Sequence, residues 1–204
     1  MSDLIPKHGG FEKLRSYRVA EIIYDGTVVF CGRFIDKRSR THDQMACPPK
    51  PWRRRVQAAR SGKQNIAEGS LASATSKKTE IKLTGVARAS LGELLLDYKD
   101  FLRQRGLHQW GKDDPESLAV RQAYKGFRER SDLSNKSDLS DKIPNDPYRI
   151  SQLPAEIAAN TLICLINQAS YLIWQQMKVL EKEILEYGGF TEKIYRKRME
   201  RRNG

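Results

Sequence analysis

Arginine and lysine are concentrated in one part of the chain. Residues 46–90 hold ten basic and two acidic side chains, so this segment supplies +8 of the formal net charge of +12. Guanidinium groups pair with phosphates through two parallel hydrogen bonds, and lysine ammonium groups bind them as point charges. The composition indicates a surface for a polyanion, with a solvated cationic face as the alternative.

The candidate phosphate-binding residues fall into four groups along the chain. Three consecutive arginines follow Trp52, and an aromatic ring beside guanidiniums can stack on bases. The alternative there is that Trp52 anchors the core while the arginines face water. The second group lies at 60–63, the third at 77–82, and the fourth in a basic C-terminal stretch. The full set is Arg53, Arg54, Arg55, Arg60, Lys63, Lys77, Lys78, Lys82, Arg196 and Arg198.

The stretch Arg60 to Ser70, RSGKQNIAEGS, lies in a predicted helix over about 52–71. Its apolar face consists mainly of small residues at three- and four-residue steps, namely Val56, Ala59, Gly62, Ile66 and Gly69. A face without large side chains lets a neighbouring backbone approach closely. The opposite face is polar and cationic, with Arg53, Gln57, Arg60 and Gln64.

A second helix is predicted over about 76–105, with Thr75 or Ser76 as its N-cap. Its early part is again rich in Ala, Gly and Ser, which predicts a tight antiparallel hairpin with the helix before it. Asn65 and Glu68, three residues apart, are expected to hydrogen-bond a neighbouring helix. A general-base role for Glu68 lacks a nucleophile or an oxyanion donor set.

Two further long helices are predicted over about 11–38 and 153–187. The last one carries a heptad seam from Ala159 to Tyr187, in which Asn167 is interpreted as a register-fixing core residue. Residues 106–152 read as an insertion with a short helix near 115–130 and a polar loop, and 188–204 as a basic C-terminal suffix. The sequence thus predicts an all-α fold: an up-down antiparallel four-helix bundle over 1–187, with this insertion before the last long helix and a short basic extension.

No motif for catalysis, a cofactor or a metal is present. The three histidines are scattered, and no P-loop, GxGxxG or GxSxG occurs. Three cysteines without a CxxC pair argue against a disulfide framework. The longest purely aliphatic and Cys run, Leu162 to Ile166, is too short for a bilayer. We therefore expect a cytoplasmic protein with no enzymatic activity, no cofactor, no metal and no membrane partner.

The motif residues carry a resemblance to a known family. Arg60-Ser61, then Asn65 to Gly69, then Ala87 to Glu93 on the next helix follow its pattern. The chain resembles the bacterial four-helix-bundle family that includes proteins encoded by intervening sequences in large-subunit ribosomal RNA genes, and the accessory protein of diversity-generating retroelements is similar. The match covers roughly 11–105 and 153–187, and the insertion and suffix depart from the compact pattern, as in a subgroup with a suffix segment.

The resemblance implies an up-down bundle and a ring-like homopentamer with a basic surface suited to nucleic acid. In that pattern Asn65, Glu68, Gly69 and Glu93 are the structural motif residues. We expect a non-enzymatic, oligomeric protein that binds RNA or DNA with weak sequence specificity. The alternative is a protein interaction or assembly module, such as an accessory scaffold for a reverse transcriptase or another partner.

Overall fold

Helices account for every regular element in the part of the chain that the structure describes. The structure is a computed structural model, and it describes residues 10–35, 51–134, 146–188 and 190–203. The all-α prediction is confirmed. A short 3₁₀ turn, Phe11–Lys13, precedes six α-helices: α1 Arg15–Phe34, α2 Pro51–Ala72, α3 Lys77–Gln104, α4 Pro115–Ser134, α5 Ala155–Tyr187 and α6 Phe190–Asn203.

The four predicted long helices are present with their ends moved by a few residues. α1 is shorter than expected because Leu14 and Ile35, which flank it, are both extended. Ser76 is the N-cap of α3, and its Oγ accepts a hydrogen bond from Thr79 N at 3.2 Å. Most of the predicted Pro-rich connection at 39–51 and most of the polar loop before α5 lie outside the described residues.

α2 and α3 pack as an antiparallel pair through their small residues. A Cβ added at Gly62 would lie 2.8 Å from Leu91 Cδ2, and one added at Gly69 would lie 3.3 Å from the Glu80 carbonyl oxygen. A side chain at either position would displace the Leu91 side chain or the α3 backbone, so glycine suits this close approach even though it costs about 1 kcal/mol against alanine in a helix. The small apolar face predicted for α2 is buried or half-buried, and its four predicted polar residues are exposed.

The core lies between α1, α2, α3 and α5. Phe30 of α1 packs edge-on against Tyr98 and Phe101 of α3, with ring centroids 5.0 and 4.9 Å apart. Tyr98 is fully buried, and its hydroxyl donates to Thr27 Oγ1 at 3.0 Å. The principal helix contacts join α1 with α2, α2 with α3, α3 with α5 and α5 with α1, so that these four helices surround the core.

α4 covers the outer face of the first half of α5. Asn160 of α5 is buried there, where it accepts from Trp110 N at 2.9 Å and donates to the His108 carbonyl at 2.8 Å. The predicted core role of Asn167 is wrong, because its side chain is exposed. Asn167 lies one residue beyond buried Ile166, and the turn of about 100° per residue takes it off the seam.

By length and composition alone, α5 is long enough and apolar enough to span a bilayer. Its residues Ala155–Glu186 contain a sufficiently apolar window, but 61% of that window is buried inside the protein. The apolar composition of α5 is thus explained by its contribution to the core.

Candidate nucleic-acid interface

One arginine at the start of α2 is held by a buried carboxylate. Arg54 forms a two-point ion pair with Asp97 of α3, in which Arg54 Nε lies 3.2 Å from Asp97 Oδ2. The Asp97 side chain is only 6% exposed, whereas that of Arg54 is 60% exposed. The hydrogen bonds and charge of Asp97 raise the pKa of Arg54. Arg54 therefore serves first as the counter-ion that neutralises a buried acid.

Arg55 lies inside the protein. Its Nη2 donates to the Asp97 carbonyl at 2.9 Å, and its Nε is buried without a hydrogen-bond partner. Three consecutive residues on a helix cover about 200° of its circumference, so three adjacent arginines could not all point to solvent. The structure thus corrects the inclusion of Arg55 among the phosphate contacts. The side chain of Trp52, the predicted stacking residue, lies outside the described part of the chain.

Two of the candidate lysines are also engaged within the protein. Lys63 lies 3.7 Å from Glu21 Oε1 and 4.7 Å from the ring centre of Tyr24. Lys77 bridges Glu80 at 3.4 Å and Glu183 at 3.0 Å, and so ties the first turn of α3 to the end of α5. Burial lowers the pKa of Lys77, but its two glutamates outweigh burial and raise the pKa overall. Neither lysine is presented to solvent as a simple free cation.

The remaining candidates are all exposed. Arg53 and Arg60 lie on the solvent face of α2, Lys78 and Lys82 lie on the solvent face of α3, and Arg196 and Arg198 lie on α6. These positions are compatible with phosphate contacts. They are not gathered at one place, since about 29 Å of helix separates Arg53 from the C-terminal end of α2, after which Lys78 and Lys82 follow on α3.

Several exposed cations lie at one end of the molecule. Ser16, in the first turn of α1, donates to Gln176 Oε1 at 2.8 Å, and Lys77 contacts Glu183, so α1 and α3 both begin near the last turns of α5. We name this region the basic end and define it by exposed Arg15, Lys78 and Lys82 together with α6, which follows α5. The sequence-based selection did not include Arg15, which lies outside the basic segment 46–90 and the C-terminal stretch.

The four structural motif residues have different surroundings. Asn65 donates to the Ser61 carbonyl at 2.9 Å and to Ser61 Oγ at 3.2 Å, both on its own helix. Ser61 Oγ then lies 2.9 Å from Ser90 Oγ on α3, so the link between helices passes through the serines. The expected direct bond from Asn65 to another helix is therefore replaced by this relay. Gly69 packs against α3, and Glu68 and Glu93 are exposed.

Within the described residues, no group of three or more His, Cys, Asp or Glu side chains is placed to hold a metal ion. Cys31 is buried, and burial raises the pKa of its thiol to about 11 against the opposing charge of Arg55. The chain matches no protein-family model, no curated protein and no solved structure.

Proposed function

We propose that this protein is a non-enzymatic nucleic-acid-binding protein that holds the phosphate backbone of RNA or DNA at its basic end, with weak sequence specificity. The observation that carries this proposal is the contrast between cations that contact carboxylates and the exposed cations of the basic end. Arg54, Lys63 and Lys77 contact carboxylates, whereas Lys78 and Lys82 lie exposed on α3 and α6 adds further exposed arginines. Contacts to phosphate alone carry no sequence information.

The proposal extends to the architecture. The closed set of contacts among α1, α2, α3 and α5 supports an up-down four-helix bundle, with α4 as an addition on α5 and α6 as the suffix. The motif from Arg60 to Gly69 and its close seam with α3 support membership in the intervening-sequence and retroelement-accessory family. The cytoplasm is the compartment proposed for such a protein.

Self-association is part of the same proposal. α3 exposes Leu96, at 61%, and Val86, and no side chain lies within 4 Å of where a Cβ would stand at Gly85 or Gly92. These apolar and small residues are interspersed with exposed Lys82, Glu93 and Arg103, and subunit interfaces combine an apolar core with a polar rim. We propose a homo-oligomer, with the pentamer as the candidate assembly. Such an assembly would multiply a weak phosphate contact through effective concentration. Light scattering on the purified protein measures the subunit number, and a monomeric mass would overturn this part.

The nucleic-acid proposal is tested by titration across salt. For duplex DNA, log K should fall against log salt with a slope near −0.9 for each phosphate neutralised. Lys78→Gln with Lys82→Gln should make the slope shallower by about 1.8. The control is Arg103→Gln, at the other end of α3, which is paired with Asp100 at 2.9 Å and should leave the slope unchanged. A flat slope for the wild-type protein, or no binding at low salt, would overturn the proposal.

A second candidate function is favoured by one exposed aromatic pair. Tyr171 and Trp174 of α5 stack with ring centroids 6.2 Å apart and remain 53% and 44% exposed. Exposed Tyr and Trp are the residues that most often anchor protein interfaces. This pair supports the alternative of an assembly module for a protein partner. Under that alternative, Trp174→Ala should weaken assembly in light scattering and leave the salt slope for nucleic acid unchanged.

A further inference from the structure

α6 differs from the other helices in both charge and packing. Its fourteen residues include six basic and two acidic side chains, a net charge of +4. The principal helix-to-helix contacts of the described residues do not include α6. α6 therefore contributes little to the core, and its like charges repel one another. Binding of a ligand explains such a helix better than packing does.

One face of α6 combines an aromatic ring with two guanidinium groups. Tyr195, Arg198, Met199 and Arg202 follow the three- and four-residue steps of a single helical face, and all four side chains are exposed. The Tyr195 ring is 64% exposed, although burying a tyrosine ring is normally favourable. We infer that α6 binds single-stranded nucleic acid, with Tyr195 stacked on a base and Arg198 and Arg202 on the flanking phosphates.

The inference rests on the proposed function and deepens it by naming the strandedness of the ligand. Phosphate contacts alone would serve a duplex and a single strand alike. A stacking ring adds affinity only where the face of a base is accessible, as it is in a single strand. In a duplex both faces of each base are already covered by the neighbouring base pairs. An exposed ring one turn before Arg198 therefore favours the single strand.

A membrane surface fits α6 less well. Interfacial helices carry a strong separation between a broad apolar face and a cationic face. On α6 the only large apolar side chain on the described face besides Tyr195 is Met199, and Arg198 and Arg202 lie on that same face. The arginines would be drawn toward the acyl region together with the ring, which opposes insertion.

The test compares Tyr195→Ala with Tyr195→Phe in the full chain. Fluorescence anisotropy would measure the affinity of each variant for a labelled oligo-uridine of 15 nucleotides and for a 15-base-pair duplex. Loss of the ring should weaken binding to the single strand about tenfold, within the range for one stacked base, and weaken duplex binding less than twofold. Tyr195→Phe keeps the ring and should bind both the single strand and the duplex with the affinity of the wild-type protein. Circular dichroism would confirm equal helix content.

The outcomes separate this inference from the function on which it rests. If the wild-type protein binds both polymers with a salt slope but Tyr195→Ala changes neither affinity, or changes both equally, the stacking inference is overturned and the proposed function stands. If the wild-type protein binds neither polymer, both are overturned. Binding to vesicles of phosphatidylserine and phosphatidylcholine that requires Tyr195, without a preference for the single strand, would overturn the inference in favour of a membrane.

Discussion

The arginines that begin α2 and the cations of the basic end are similar in sequence and different in structure. Arg54 and Arg55 converge on Asp97, a carboxylate that the helix pair has taken out of water. Lys78, Lys82 and Arg198 lie on solvent-facing surfaces. A high local density of arginine and lysine thus has two distinct uses, and the position of the acidic residues decides between them.

The largest expected effect tests the structural role of the α2 arginines. Arg54→Ala would leave Asp97 buried without its ion-pair partner, which should lower the free energy of unfolding by about 3 kcal/mol. Arg60→Ala, on the solvent face of the same helix, should change it by less than about 0.5 kcal/mol. Urea denaturation of both variants measures the difference. Equal stability of the two would show that Arg54 is only another surface cation.

The next effect tests the ligand-facing role of α6. Arg198→Gln with Arg202→Gln should make the salt slope for a single strand shallower by about 1.4, because each lost phosphate contact accounts for about 0.7. The matched control is Lys178→Gln with Lys182→Gln on α5, where the lysines are exposed but lie 2.8 and 3.6 Å from Glu181 and Glu186. Titration across salt should show no change for this control. Equal changes in both pairs would remove the distinction between paired and unpaired cations.

The smallest effect concerns Glu80, which is the second buried carboxylate of α3 besides Asp97. Burial raises the pKa of Glu80 above its ordinary value of 4.5, and Lys77 opposes this only in part. The folded state therefore binds a proton at Glu80 more tightly than the unfolded chain does. The contribution of Glu80 to stability is accordingly present at low pH and is lost as the pH rises through the raised folded pKa.

Glu80→Gln should therefore make the free energy of unfolding less dependent on pH from pH 4.5 upward. The variant should also be more stable than the wild-type protein at neutral pH, because glutamine carries no charge to desolvate. Thermal unfolding between pH 4 and pH 7 would measure both effects. A variant that is less stable than the wild-type protein at neutral pH would mean that the ion pairs of Lys77 outweigh the burial of Glu80.

The helices could be predicted from the sequence because their signals are local. Apolar spacing placed α2, α3 and α5 within a few residues, and Ser76 was recognisable as an N-cap from its type and position. The burial of Arg55 was not predicted, because it depends on Asp97, forty-two residues away. A signal was available, since Arg55 precedes Ala59, Gly62 and Ile66 at the steps of the buried face.

The candidate site was less predictable than the fold for a related reason. Charge can be counted along the chain, but its pairing requires the three-dimensional contacts that place Glu183 against Lys77 and Glu21 against Lys63. The same limit applies to Asn160, whose burial depends on hydrogen bonds to the segment around Trp110 rather than on the heptad of α5. Periodicity gives the face of a helix and does not give what covers it.

The register between α2 and α3 makes the lengths of these helices as restrictive as their composition. Arg54 meets Asp97, Ser61 meets Ser90 and Gly69 meets Glu80, so an advance along one helix is matched by a step back along the other. Inserting one residue between Ser61 and Gly69 would rotate everything before it by about 100° relative to everything after it. Single-residue insertions and deletions inside this pair should therefore be far more damaging than most substitutions, and a change of length should be accepted only in the turn that joins the two helices.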